Sequence, residues 1–369
     1  MSAQPIRKIA ISTGGGDAPG LNAVIRAVTV SALKRGWEVW GIRDGYNGLL
    51  DPEAFPDGGL VRLTRQRVSG IMHQGGTTLG TTNRGNPLSF PVRNPDGSWS
   101  EVDRCAELIG KFRAAGFDAL VTVGGDGSLA IGHRLAGLGL RVVGVPKTID
   151  NDLDRTFMTF GFDSAVSFAT ECLDRLHATA TSHRRIMVVE VMGRYAGWIA
   201  LHAGIAGNAH AILIPEIAYD IEKVAQAVRD REQNGNEYAL VVVAEGAKPV
   251  GGAVSVRDKA VGQAERLGGV GEKVAARLQE LTGRESRTVV LGHLLRGGSP
   301  TSFDRLVALR FGTAAVRALE AGLSSVMVSL APPTVRYEPL EAVIRRMKVV
   351  PLDCDTMQAA RDLGIRFGD

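Results

Sequence analysis

The sequence predicts an α/β fold made of two three-layer αβα units with mostly parallel sheets and a functional cleft between them. Three observations predict it. Short apolar runs recur along most of the 369 residues, and segments with helical spacing separate them. Several of these runs end in glycine-rich turns, where open parallel sheets bind ligands.

Lys8–Ser12 is the first apolar strand, Thr13 to Gly20 a turn, Leu21–Arg35 an amphipathic helix and Glu38–Arg43 the next strand, so the chain opens as a βαβ unit. Gly70–Pro87 is rich in Gly, Thr and Asn and reads as a loop. Asn94 to Gly97 is a turn at the tip of an insertion spanning 88–103. Helices are predicted over Glu101–Ala115 and Leu129–Leu138, strands over Ala119–Val123 and Val142–Val145. A second series follows: helix Asp163–His177, strand Arg185–Val191, helix Ala196–Ala206, strand Ala211–Ile214, helix Asp220–Gln233 and strand Tyr238–Ala244. Helix Gly269–Thr282, strand Arg287–Leu295 and a long helix Ser302–Ala321 complete it. The expected division is therefore 1–154 and 155–346, with part of the C-terminal region packing back on the first domain and 347–369 as a terminal appendage.

Composition narrows the function classes. The formal charge is +4 with no long basic run, which disfavours nucleic acid as a partner. Cys105, Cys172 and Cys354 show no CxxC spacing, so neither a disulfide framework nor a zinc site is expected. The N-terminus lacks a signal-like apolar region and no apolar run reaches ~20 residues, so a cytoplasmic protein without a membrane span is expected.

Three loops carry the chemistry. Gly14, Gly15 and Gly16 let backbone N–H groups face an anion at the start of a helix, although a tight strand–helix turn needs the same residues. In Gly124 to Ser128 the glycines Gly124, Gly125 and Gly127 allow close approach of a polyphosphate. Asp126 offers a hard oxygen suited to Mg²⁺, and Ser128 suits a helix cap. Lys147 to Asp152 is the densest constellation: a cation, the Thr148 hydroxyl and two carboxylates, Asp150 and Asp152, at one strand end. A base there deprotonates an alcohol while the lysine and nearby arginines stabilise the transferring phosphoryl group. An Asx-turn is the plain alternative. Arg184, Arg185, Arg194, Arg287, His293 and Arg296 each sit near a predicted strand end, where guanidinium pairs with phosphate.

In combination these motifs resemble the 6-phosphofructokinase family over roughly residues 7–330. The matching pieces run Gly14–Asn22, Gly124–Ser128, Pro146–Asp152, Val189–Gly197 and Leu291–Pro300. The resemblance implies two Rossmann-like domains, one binding the donor and the other the sugar phosphate. It places Gly16, Arg84, Gly125, Asp126, Gly127 and Ser128 at the donor, with Asp126 and Asp152 at Mg²⁺. Asp150 becomes the catalytic base for the 1-hydroxyl of fructose 6-phosphate, assisted by Arg194 and Lys147. Thr148, Met192, Gly193, Arg194, Glu245, His293 and Arg296 bind the sugar phosphate. Arg185 and Arg287 reach the 6-phosphate from a neighbouring subunit, so a homo-oligomer, dimer or tetramer, with shared sites is implied.

Two departures bear on donor and control. Gly127 is the choice of ATP users, whereas Lys147 is that of pyrophosphate users, so the chain resembles the mixed Gly/Lys group. MgATP is expected, with pyrophosphate as the alternative donor and sedoheptulose 7-phosphate as an alternative acceptor. The arginine common after Gly-Thr-x-Leu-Gly aligns with Asn83, one position before Arg84. Arg26 and Arg65 match the effector pocket of bacterial relatives, but Val30, His177, Asn234 and Asn236 replace basic residues, which implies weak control by ADP or phosphoenolpyruvate. A non-catalytic sugar-phosphate sensor is disfavoured by the intact Asp126, Asp150, Asp152 and Arg194. A dinucleotide-binding enzyme is disfavoured because no ribose-binding acid follows the first glycine turn in a G-x-G-x-x-G context.

Overall fold

The computed structural model describes residues 5–83, 85–258 and 266–369. In chain order the elements begin with β1 (Lys8–Thr13), α1 (Leu21–Lys34), β2 (Glu38–Ile42), α2 (Asn47–Leu50) and β3 (Leu60–Leu63). Then come β4 (Phe90–Arg93), β5 (Trp99–Val102), α3 (Cys105–Ala114), β6 (Ala119–Gly124), α4 (Asp126–Gly137) and β7 (Val142–Pro146). The middle of the chain gives α5 (Phe162–His183), β8 (Ile186–Val191), α6 (Trp198–Ala206), β9 (Ala211–Leu213), α7 (Ile221–Gln233) and β10 (Ala239–Ala244). After β11 (Val256–Asp258), β12 (Arg266–Leu267), α8 (Val270–Thr282) and β13 (Ser286–Val290), the chain closes with α9 (Ser302–Glu320), β14 (Val326–Ala331), β15 (Thr334–Pro339), α10 (Leu340–Ile344) and α11 (Asp355–Asp362).

These elements group into two compact units. The first comprises 1–148, 153–161 and 296–347; the second comprises 149–152, 162–295 and 348–369. The grouping differs from a simple cut at residue 154. Helix α9 and strands β14 and β15 return to the first unit because β14 pairs in parallel with β7, through Val326 opposite Val143 and Met327 opposite Gly144. The terminal stretch joins the second unit, where the Ile212 N–H donates to the Arg366 carbonyl and the Asp220 N–H to that of Gly368.

In the first unit seven strands lie in the order β15-β14-β7-β6-β1-β2-β3. The interior is parallel and both edge strands are antiparallel. Strand β6 is buried at every position, which is why its sequence is a continuous apolar run rather than an alternating one. One sheet face packs on α1 and α9 around Val24, Val28, Phe311 and Ala315, and the other on α3, α4 and α10 around Leu108, Phe112, Leu129 and Leu340. In the second unit the order is β13-β8-β10-β9, all parallel, with α7 and α8 covering one face through Val224, Val228, Val274 and Leu278. Both units are thus α/β, with a mostly parallel sheet in the first and a wholly parallel one in the second, as the sequence predicts. No helix among the described residues is long and apolar enough to cross a membrane.

Several boundaries depart from expectation. Residues 99–102 form the second strand of a hairpin with β4, so the helix expected from Glu101 begins at Cys105. Helix α4 begins at Asp126, three residues early, and α5 runs on to His183. The expected strand 287–295 ends at Val290 and continues as a 3-10 turn over Gly292–Arg296, because Gly292 adopts φ 47° and leaves the extended region.

Candidate active site

In the first unit the loops expected to meet the donor follow the C-terminal ends of β1, β6 and β7, the edge at which open parallel sheets bind ligands. The glycine loop after β1 is not a simple outward-facing cradle. The Gly14 N–H donates to the Val123 carbonyl at 2.9 Å and the Gly15 N–H to that of Thr82 at 3.1 Å, so both groups point into the protein. The Lys147 side chain, 3% exposed, donates to the Gly16 carbonyl, and its backbone N–H donates to the Gly124 carbonyl at 3.0 Å. One buried lysine thereby ties the two glycine loops together. Arg296 donates to the Asp17 carbonyl at 3.1 Å, and a Cβ at Gly16 would lie 2.7 Å from its guanidinium.

Asp126 is exposed as the first residue of α4, with Gly125 as the cap residue and no side-chain cap bond. Its carboxylate thus stands at the positive end of a helix, where phosphate and metal also gather. Ser128 does not cap α4 as expected: it lies inside the first turn, buried beside Gly14 and Gly124. A Cβ at Gly127 would meet nothing within 4 Å, so the space beside Asp126 is open. Arg84 lies outside the described residues. A cavity of about 320 Å³ lined by Phe112, Phe117, Asp118 and Arg141 opens at the opposite, N-terminal ends of β6 and β7, so it is not part of this site.

Thr148 is buried, and its carbonyl accepts from the Thr159 hydroxyl at 2.8 Å. The next four residues belong to the second unit. There Asp150 and Asp152 are partly exposed and flank Asn151, which is buried with φ 51°. Lys348 holds this turn twice: its Nζ donates to Asn151 Oδ1 at 2.8 Å and its N–H to the Asp152 carbonyl at 2.8 Å.

In the second unit Glu245 lies next to the Met192–Arg194 segment. The Glu245 N–H donates to the Val191 carbonyl at 2.9 Å and the Gly246 N–H to that of Gly193 at 3.1 Å. This pairing sets Glu245 beside Met192, Gly193 and Arg194. Gly193 adopts φ 140°, and a Cβ at Gly246 would collide with the Arg194 carbonyl, so both positions need glycine. The loop's far end is fixed by Glu216, whose carboxylate accepts from the Gly197 N–H at 3.0 Å and the Val350 N–H at 2.8 Å. Burial raises the Glu216 pKa against the lowering effect of these N–H donors. Arg185 and Arg287 both pair with Glu285, whose carboxyl is held below its ordinary pKa first by the hydrogen bond from Arg185. His293 is exposed on the 3-10 turn.

The sequence reading did not single out Glu216, Glu285 or Lys348. Glu216 and Lys348 stand alone in segments without a glycine turn, and Lys348 meets Asn151 across 197 positions of chain. Among the described residues no cluster of three or more His, Cys, Asp or Glu side chains could hold a metal alone. Asp126 in the first unit and Asp152 in the second each offer a carboxylate of the hard-oxygen type that magnesium takes.

The phosphofructokinase family model matches residues 8–319. An ATP-dependent 6-phosphofructokinase of Chloroflexus aurantiacus is 48% identical over 363 residues, 98% of each chain. A pyrophosphate–fructose 6-phosphate 1-phosphotransferase of Streptomyces coelicolor is 46% identical over 93% of this chain and 96% of its own. Among solved structures, the phosphofructokinase of Pichia pastoris superposes with a TM-score of 0.78 at 31% identity, covering 98% of this chain and 36% of that longer one. The chain belongs to the phosphofructokinase family and is a phosphotransferase with an alcohol group as acceptor.

Proposed function

We propose that the chain transfers the γ-phosphoryl group of MgATP to the 1-hydroxyl of fructose 6-phosphate, giving fructose 1,6-bisphosphate and ADP in the cytoplasm, as a step of glycolysis. Asp150 takes the hydroxyl proton as the sugar oxygen attacks phosphorus in line and the bond to ADP breaks. Arg194 and Lys147 stabilise charge on the transferring group, and no covalent enzyme intermediate is needed. Met192, Gly193, Glu245 and Thr148 orient the sugar, and His293, Arg296, Arg185 and Arg287 bind its 6-phosphate, the last two from a neighbouring subunit of a homo-oligomer. Gly16, Arg84, Gly125, Gly127 and Ser128 receive the donor phosphates. Magnesium held by Asp126 and Asp152 would neutralise phosphate charge.

The open space at Gly127 carries the donor reading, because it leaves room for a nucleotide α-phosphate. Pyrophosphate is the second reading, favoured by a lysine at position 147, the choice of pyrophosphate users, and by the Streptomyces relative. Steady-state rates with each donor at matched magnesium separate the two. The ATP reading expects kcat/KM at least tenfold higher with ATP, and the reverse ratio would overturn it. The same assay with sedoheptulose 7-phosphate in place of fructose 6-phosphate tests the acceptor.

A further inference from the structure

We infer that the C-terminal segment Lys348–Val350 is a strap that positions the acidic turn Asp150-Asn151-Asp152, with Lys348 as its anchoring residue. The inference rests on the reading of Asp150 as the base.

The turn is braced from outside itself. Asn151 sits at φ 51°, a left-handed conformation that asparagine tolerates better than most side chains. Lys348 secures it from two sides, by its ammonium on the Asn151 amide oxygen and by its backbone N–H on the Asp152 carbonyl. The strap is itself fixed. Trp198 Nε1 donates to the Lys348 carbonyl at 3.0 Å, and the ammonium lies 5.7 Å from the Trp198 ring centroid. Two residues on, Val350 donates to Glu216, and the same carboxylate holds Gly197 at the end of the Met192–Gly197 loop. One short segment thus connects the turn bearing the base to the loop bearing Arg194. Both carry reacting-centre groups in the proposed function, and errors of ~1 Å in such groups cost up to about 10²-fold in rate. A segment that resembles a terminal appendage in sequence is therefore part of the framework of the site.

The test is a kinetic comparison of Lys348→Met, Lys348→Arg and Asn151→Ala on the full chain, with active enzyme measured by folded fraction. Lys348→Met keeps the aliphatic stem and loses the cation. It is expected to lower kcat about tenfold while KM for fructose 6-phosphate moves less than threefold. Lys348→Arg should recover most of kcat. Because the lysine acts through Asn151, the double variant should be no slower than the slower single one. A Lys348→Met enzyme with wild-type kcat overturns the inference. So does a loss explained wholly by unfolding, or one in which the two substitutions simply add. Asp150→Asn separates this from failure of the underlying reading: if it retains kcat, Asp150 is not the base, whatever Lys348 does.

Discussion

Gly127 is the second residue of α4, and a side chain there would project into open space next to Asp126. An aspartate at this position suits the fold, because a carboxylate in the first turn of a helix stabilises it by about 0.3–1 kcal/mol. Gly127→Asp should therefore fold as well as the parent, and any loss of activity reports on the donor site. The added carboxylate would occupy the volume proposed for the α-phosphate and repel it. The expected outcome is a fall in kcat/KM for ATP of at least tenfold with a much smaller change for pyrophosphate. Equal losses with both donors would show that the open space is not the nucleotide's. The same residue shows what the sequence reveals at this scale: glycine spacing marked the loops, but not that the Gly14 and Gly15 N–H groups are engaged inward, with Lys147 bracing Gly16.

Elements were legible where one face or both faces are buried. Strands β6, β8 and β10 are buried throughout and read as unbroken apolar runs. Strands β4 and β5 are largely exposed, so no buried face imposes alternation, and Glu101 was drawn into the helix after it. The last turn of α5 buries only Ala180, so its polar sequence gave no periodic signal. β9 shows a further constraint that sequence hides. His210, just before it, accepts the Leu240 N–H through Nδ1 at 2.8 Å and faces the His177 and Tyr238 rings. An imidazolium cannot accept that bond. Burial, then Arg231 and His177, depress its pKa to about 3. The folded pKa is thus below the unfolded value of about 6.5, and the unfolded chain takes the proton first. Stability should be full above pH 6.5 and fall as pH drops toward 3, by at most about 2 kcal/mol at pH 5. His210→Gln keeps an acceptor for Leu240 without the titration. Thermal midpoints from pH 7.5 to pH 5 should fall less steeply in this variant than in the parent; parallel slopes would remove His210 as the cause.

At the scale of the whole molecule, local pattern shows that two parallel sheets exist but not which returning segment joins which. That depends on pairings such as Val326 with Val143, made across nearly half the chain. Assembly is the next such question. Arg185 and Arg287 converge on Glu285, so both guanidiniums are presented together at one place on the second unit. If they serve the 6-phosphate site of a neighbouring subunit, activity requires two chains, and two dead chains can make one live site. A chain carrying Asp150→Asn keeps its arginines and loses its base. A chain carrying Arg185→Ala and Arg287→Ala keeps its base and loses its arginines. Co-expressed in equal amounts, the pair would form mixed oligomers in which the second chain's base works with the first chain's arginines. Random pairing then recovers about a quarter of the wild-type sites, each with normal KM for fructose 6-phosphate. If the arginines act within their own chain, each mixed oligomer holds only defective sites and no activity returns. Recovery that follows the proportion of mixed oligomers, separated by a tag on one chain, is the outcome that sharing requires, and its failure would place the whole sugar-phosphate site within a single chain.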